Sequence, residues 1–282
     1  MKAEYNRPIE LAEGVHWVGF ADAESGLHCN PYLIIAGEEA VLIDGGSRPD
    51  FSKVMMKILG TGVEPRQIST LIYQHYDPDL CGSIPNLEDI IGRDDLRIVS
   101  HRENNIFIRH YAVRSRLRCV EEMGLRLTLR NGRALRFFLT PYSHSAGSFV
   151  TLDESSGTLF TSDLFGTYGT GSEWNLFADI DPRCHGCANS GPRGTAPGSR
   201  YECSKVRGSC FLPGILNFHR RVMTSSKARK HAVRTIQATD PQVVAPQHGS
   251  VIKGSESIGM IGGHLAALDD IGIDGIAEAG LG

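Results

Sequence analysis

The sequence predicts a mixed α/β fold in which helices cover a pair of sheets. Three observations predict it. Short β-branched runs alternate with helical stretches in the first part of the chain, similar runs follow one another as a meander from about residue 125, and helical spacing returns near the C-terminus. Val15–Gly19, Tyr32–Ile35 and Ala40–Asp44 are apolar runs bounded by Gly, Pro or acidic turns, and read as strands. Pro49–Leu59 has helical spacing and stops at Gly60. Ser69–Tyr73 and Leu96–Ser100 are further strands, the second followed by a helix from Glu103 towards Val113. Leu125–Leu129, Leu135–Leu139, Ser148–Thr151 and Thr158–Thr161 form the meander. Residues 171–210 are rich in Gly, Pro, Arg and Cys and lack periodicity, so they read as an insertion. Helices are expected near Leu212–Met223 and Ser225–Thr239, then a strand at Val243–Val244. The Gly- and Ala-rich last ten residues read as loose. No linker divides the chain, which predicts one domain over residues 1–282.

Bulk properties narrow the function classes. With 282 residues, 41% hydrophobic and 22% charged, the chain can bury a sizeable core. A net charge of −3 argues against nucleic acid or an anionic membrane as partner. No apolar run approaches the roughly 20 residues that span a bilayer, and the N-terminus lacks an apolar signal core. Seven cysteines, four of them clustered, do not suit an evenly paired disulfide framework, so the expected setting is cytoplasmic.

The most informative stretch is His75-Tyr76-Asp77-Pro78-Asp79, directly after the strand at Ser69–Tyr73. Alternate side chains of an extended loop point the same way, so one imidazole and two carboxylates can converge on a place that needs cations. Read alone, it could equally be a polar turn. Three further polar positions follow strands: His144 in Pro141–Gly147, Asp163 after Thr158–Thr161, and His248 after Val243–Val244. Each has a bland reading as a loop residue or helix cap. Their joint placement at strand ends is what a preorganised site requires.

This ordered set resembles the metallo-β-lactamase-fold superfamily, over about residues 13–255, and specifically its di-iron branch: flavodiiron proteins and their flavodoxin-less oxygen-binding relatives. The superfamily pattern is His-x-His-x-Asp-His with a later His, Asp and His. The di-iron branch has a carboxylate at the second position, as Asp77 is here. The resemblance implies an αββα sandwich with a Cys-rich insertion. It implies one metal on His75, Asp77 and His144, a second on Asp79 and His248, and Asp163 between them. Asp44 fits the early Asp-Gly turn of such proteins. Leu80 departs from the pattern, standing where a histidine is usual, and should leave the second metal one protein ligand short.

Charge gives a separate case for the metal. Two divalent ions bring four positive charges, and Asp77, Asp79 and Asp163 cancel three. A hard, anionic donor set favours two Fe ions, with Mn or Zn as alternatives. The resemblance implies binding or reduction of O₂ or NO, as an oxidoreductase or as an oxygen sensor or carrier. Only 34 residues follow His248, too few for a flavodoxin domain, so no flavin is expected in this chain and a separate electron-donor protein would be needed. A zinc-dependent hydrolase of thioesters, phosphodiesters or lactones is the alternative. A homo-oligomer is compatible with the sequence.

Cys184, Cys187, Cys203 and Cys210, with gaps of 15 and 6 residues after the first pair, suggest a structural zinc, with a redox dithiol or unconnected thiols as alternatives. Cys29, Cys81 and Cys119 read as small core or loop residues. Tyr142, Phe165, Tyr168 and Trp174 are candidates to shield the site or to pack the core, and His219 to cap or pack a helix.

Overall fold

Strand alternation sorts the apolar residues onto two faces, and a computed structural model describing residues 5–20, 29–168, 175–178 and 211–278 shows what each face covers. The first sheet has seven strands in chain order: β1 (Ile9–Ala12), β2 (Val15–Trp17), β3 (Tyr32–Ala36), β4 (Glu39–Ile43), β5 (Ile68–Ile72), β6 (Arg97–Ser100) and β7 (Arg116–Cys119). β1 to β4 pair antiparallel, and β4 to β7 run parallel through helical crossovers. The second sheet runs β13 (Ile252–Lys253), β12 (Val243–Ala245), β11 (Thr158–Phe160), β10 (Phe149–Asp153), β9 (Ala134–Leu139), β8 (Arg126–Thr128).

Ile34, Val41, Ile72 and Val99 of the first sheet share one buried cluster with Leu135, Phe137, Phe149 and Phe160 of the second, so the inner faces meet. The alternate residues Leu33, Leu42, Leu71 and Ile98 turn outward onto α1 (Phe51–Gly60) and α3 (Ile84–Ile91). Val150, Leu152, Leu159 and Val244 turn outward onto α5 (Leu212–Val222), α6 (Ser226–Gln237) and α7 (Ser255–Ala266). The layers are therefore helix, sheet, sheet, helix, the predicted αββα sandwich.

Several elements differ from the sequence reading. β1, α3, β7, β13 and α7 carry weaker patterns and were not expected. α4 (Arg102–Ile108) is shorter than predicted, because a 3₁₀ turn at Arg109–Tyr111 leads into Ala112 at φ +57°. Part of the tail expected to be loose is α8 (Ile273–Glu278), tied down where the Asp274 carboxylate accepts the Ser226 N–H at 2.7 Å. No helix among the described residues is long and apolar enough to cross a membrane.

Topology also fixes where strands end. β9 and β11 both run antiparallel to β10, and β12 runs parallel to β11. The C-terminal ends of β9, β11 and β12 therefore share one edge of the second sheet.

Candidate metal centre

The loops leaving β5, β9, β11 and β12 carry His75, His144, Asp163 and His248, and all six predicted residues meet. The extended-loop argument holds only as far as Asp77. That residue is the N-cap of the short helix α2 (Pro78–Cys81), so Asp79 lies in a helical turn and faces a second group of donors. Two clusters result. Ligand atoms of His75, Asp77 and His144 lie within 4.8 Å of one another, as do those of Cys29, Asp79 and His248.

Asp163 stands between the clusters. Its Oδ1 is 3.7 Å from His75 Nε2 and 3.5 Å from His248 Nε2, while Oδ2 is 2.8 Å from His144 Nε2. Among the described residues, His75 Nε2 and Asp163 Oδ1 are buried with no hydrogen-bond partner. Leaving such groups unsatisfied costs about 1–3 kcal/mol each, and cations shared by the two clusters would remove that cost. The residues present fit a two-metal centre.

Neighbouring groups orient the donors. His75 Nδ1 pairs with Ser162 Oγ at 2.8 Å, and with Nδ1–H donating, the Nε2 lone pair faces Asp163. Ser162 itself holds φ +53°, a left-handed conformation that aims its hydroxyl at His75 while Asp163 turns into the site. Gly249, at φ +84°, lets the chain turn directly after His248, where a Cβ would collide with Thr167. Asp44, also left-handed at φ +57°, accepts the Gln74 N–H beneath the site at 3.4 Å.

The donors also act on one another electrostatically. Burial alone would raise the Asp163 carboxyl, yet His75, His144 and His248 hold it well below the usual carboxylate range. Burial opposes the charged forms of His144 and His248, but Asp163 raises the first, and Asp79 with Cys29 and Asp163 raises the second. Burial dominates at His75 and lowers it. Burial also pushes Asp44 well above its ordinary value, reinforced by Asp79 and Asp163 against the Gln74 N–H.

Some assignments change. Leu80 is fully buried in the outer apolar core, so its side chain supplies no donor. Cys29 is buried as expected for a small core residue, but its Sγ also lies 3.6 Å from Asp79 Oδ2, which the sequence did not suggest. Tyr142 is 58% exposed and stands towards solvent. Phe165 is fully buried in the helix-side core, the packing alternative. His219 is a packing residue: Nδ1–H donates to the Ile215 carbonyl at 2.7 Å, Nε2 accepts the Phe165 N–H at 3.0 Å, and burial lowers it to about 4. Among the described residues a ring beside the site is Phe218, 6.0 Å from His248 and 4.8 Å from Tyr168. Trp174, Cys184, Cys187, Cys203 and Cys210 lie outside the described residues.

An αββα sandwich with this donor set on its strand ends defines the metallo-β-lactamase fold in its di-iron branch. Residues 27–249 match the model of the ODP family beta lactamase, and the chain belongs to that family. Among solved structures it is similar to the chemotaxis sensor ODP in a peroxy diiron form (TM-score 0.71, 22% identity, 96% of this chain and 98% of that one). It is also similar to rubredoxin oxygen:oxidoreductase from Desulfovibrio gigas (TM-score 0.72, 18% identity, 93% and 61%). Among curated proteins, a diflavin flavoprotein of Synechocystis sp. is 28% identical over 145 residues, 51% of this chain and 25% of that protein. The chain spans about a quarter of the length of the first such relatives.

Proposed function

We propose that the chain would hold two iron ions and bind dioxygen or nitric oxide there, as an oxygen-responsive or oxygen-reducing protein. The observation that carries this reading is Asp163, a buried carboxylate facing both donor clusters with one oxygen otherwise unpartnered. His75, Asp77 and His144 would hold one ion, Asp79 and His248 the other, and Asp163 would bridge. When bound, a diferrous pair supplies up to two electrons to a diatomic ligand such as O₂ or NO.

The protein's own part is electrostatic and steric. Asp77, Asp79 and Asp163 supply three negative charges, one more than a histidine at position 77 would allow, and so favour the higher oxidation state of iron over zinc. Ser162 fixes the His75 ring, and Phe218 with Tyr168 forms an apolar wall beside His248. Sustained reduction would draw electrons from a separate donor protein. The chain's affinity with both a sensor and an oxidoreductase fits either use. The free thiols of Cys29, Cys81 and Cys119 suit a reducing, cytoplasmic setting, and a structural zinc on Cys184, Cys187, Cys203 and Cys210 would anchor the insertion.

Purification without oxygen, followed by metal analysis and optical spectra on admitting air, tests the proposal. Two irons per chain and an O₂-dependent spectral change are expected. Stoichiometric zinc at the six-residue site, with no response to O₂, would refute it. Oxygen consumption in the presence of a reduced donor then separates enzyme from sensor.

A further inference from the structure

We infer that the Cys29 thiolate is the fourth protein ligand of the second metal site, taking the place left by Leu80. The inference rests on the two-metal reading above and concerns only which atoms complete it. Cys29 Sγ is 3.6 Å from Asp79 Oδ2, which in turn is 3.3 Å from His248 Nε2. With the bond lengths of a zinc-sized divalent ion, about 2.3 Å to sulfur, 2.0–2.1 Å to nitrogen and 2.0–2.2 Å to oxygen, tetrahedral angles imply S···O and N···O separations of roughly 3.6 and 3.4 Å. These two observed edges fit a common centre, and the third, between Cys29 and His248, lies within 4.8 Å. Asp163 Oδ1, buried 3.5 Å from His248 Nε2 and without a hydrogen-bond partner among the described residues, is the donor left for the fourth corner.

The placement of Cys29 is built in. The next residue, Asn30, is fully buried, and its backbone N–H donates to the Gln247 carbonyl at 2.8 Å. Its side-chain amide donates to the Pro246 and Gly249 carbonyls at 3.0 and 2.9 Å and accepts the Trp17 indole N–H at 2.9 Å. Residues 246–249 are the loop that carries His248, so the segment bearing Cys29 is laced to the segment bearing its partner ligand. A cysteine needed only for packing would require no such register with a histidine and a carboxylate.

Charge supports the same assignment. Asp77, Asp79 and Asp163 leave one positive charge of two divalent cations uncompensated, and a thiolate cancels it. On metal uptake the Cys29 S–H proton passes to solvent and a sulfur lone pair forms the bond to the cation, with no change in oxidation state. A soft sulfur donor on one ion only would make the two sites chemically unequal.

The test is titration of metal-free, full-length protein with cobalt(II) chloride under anaerobic conditions, comparing wild type with Cys29→Ser and Cys29→Asp. Wild type should develop a near-ultraviolet sulfur-to-cobalt charge-transfer band as the second site fills. Cys29→Ser should lose that contribution and bind the corresponding equivalent roughly tenfold or more weakly, since loss of a supporting residue alone costs 10–100-fold. Cys29→Asp keeps an anionic donor and should retain the affinity without the band, which guards against misfolding of the serine variant. Any cobalt on the other cysteines contributes equally to all three proteins and cancels in the difference. Wild-type protein that takes up cobalt at both sites, with spectra and affinity unchanged by Cys29→Ser, would overturn the thiolate assignment alone. Wild-type protein that binds no cobalt at the six-residue site would overturn the two-metal reading and this inference with it.

Discussion

Asn30→Ala isolates the contribution of the lacing between the β3 approach and the His248 loop. The substitution removes three buried side-chain hydrogen bonds, two to the Pro246 and Gly249 carbonyls and one from Trp17. At a net 0.5–1.5 kcal/mol each, their loss costs about 3 kcal/mol. The Pro246 carbonyl keeps a donor in the Tyr32 hydroxyl at 2.7 Å, which limits the penalty there, whereas the Gly249 carbonyl loses its amide donor. For a chain of this size the expected fall in Tm is roughly 6–12 °C. Urea unfolding of the metal-free protein, followed by circular dichroism, measures the free-energy loss directly. Asn30→Asp supplies the control: it preserves shape and can accept from Trp17, but presents a carboxylate to two carbonyls, so it should destabilise at least as much as alanine. A loss below about 1 kcal/mol for both variants would refute the claim that these bonds hold the loop in register.

Other outcomes follow from other contacts. Asp163→Asn keeps volume but removes the charge facing both donor clusters, so metal content should fall from two ions per chain to at most one, and retention of both would contradict the bridging role. Arg133 is mostly buried, donates from Nε to Asp153 at 2.9 Å and reaches the Ile35 and Glu13 carbonyls at 3.2 and 3.0 Å. Arg133→Met leaves Asp153 uncompensated and should cost about 3–5 kcal/mol in urea unfolding, whereas a change under about 1 kcal/mol would show the pair to be dispensable. Burial lowers Lys57 to about 8, beneath the Trp17 ring at 3.8 Å and donating to the Gly19 carbonyl. Because its folded value lies below the unfolded value of about 10.4, the unfolded chain binds more protons in between, and this group's contribution to stability rises with pH over that window. Lys57→Met should abolish that rise in urea midpoints measured from pH 8 upward, and an unchanged slope would exclude Lys57 as its source.

The αββα layering and the donor set were legible through the family resemblance, and four of the six residues, His75, His144, Asp163 and His248, also through their places after strands. Strands buried on both faces read as continuous β-branched runs, and the residue after such a run is held at a sheet edge whatever follows. β5, β11 and β12 are all of this kind, each buried throughout, so His75, Asp163 and His248 could be located without knowing the loops. His144 was found the same way after the half-buried β9. What failed lacked that signature. β7, reading Arg-Leu-Arg-Cys, is an exposed edge whose alternation spans only four residues. α3 follows the metal loop closely and carries Pro85 in its first turn, where proline is tolerated but interrupts the helical pattern that a sequence shows. Tyr142 lies in the loop with His144, yet φ +62° turns it out to solvent, and no local pattern encodes that conformation.

Cys29 shows the boundary most sharply. It lies 46 residues before His75 in a stretch without periodicity, and its proximity to Asp79 and His248 arises only because Asn30 binds a loop 216 and 219 residues away. The departure at Leu80 was visible in the motif, and it implied an incomplete second site. A single missing histidine can be answered by more water or by another side chain, and these alternatives differ only in three-dimensional space. With Leu80 sunk into the outer core, Cys29 is the side chain whose ligand atom, among the described residues, joins those of Asp79 and His248. A thiolate there, added to the three carboxylates, would balance the charge of two divalent cations while making the two positions chemically unlike.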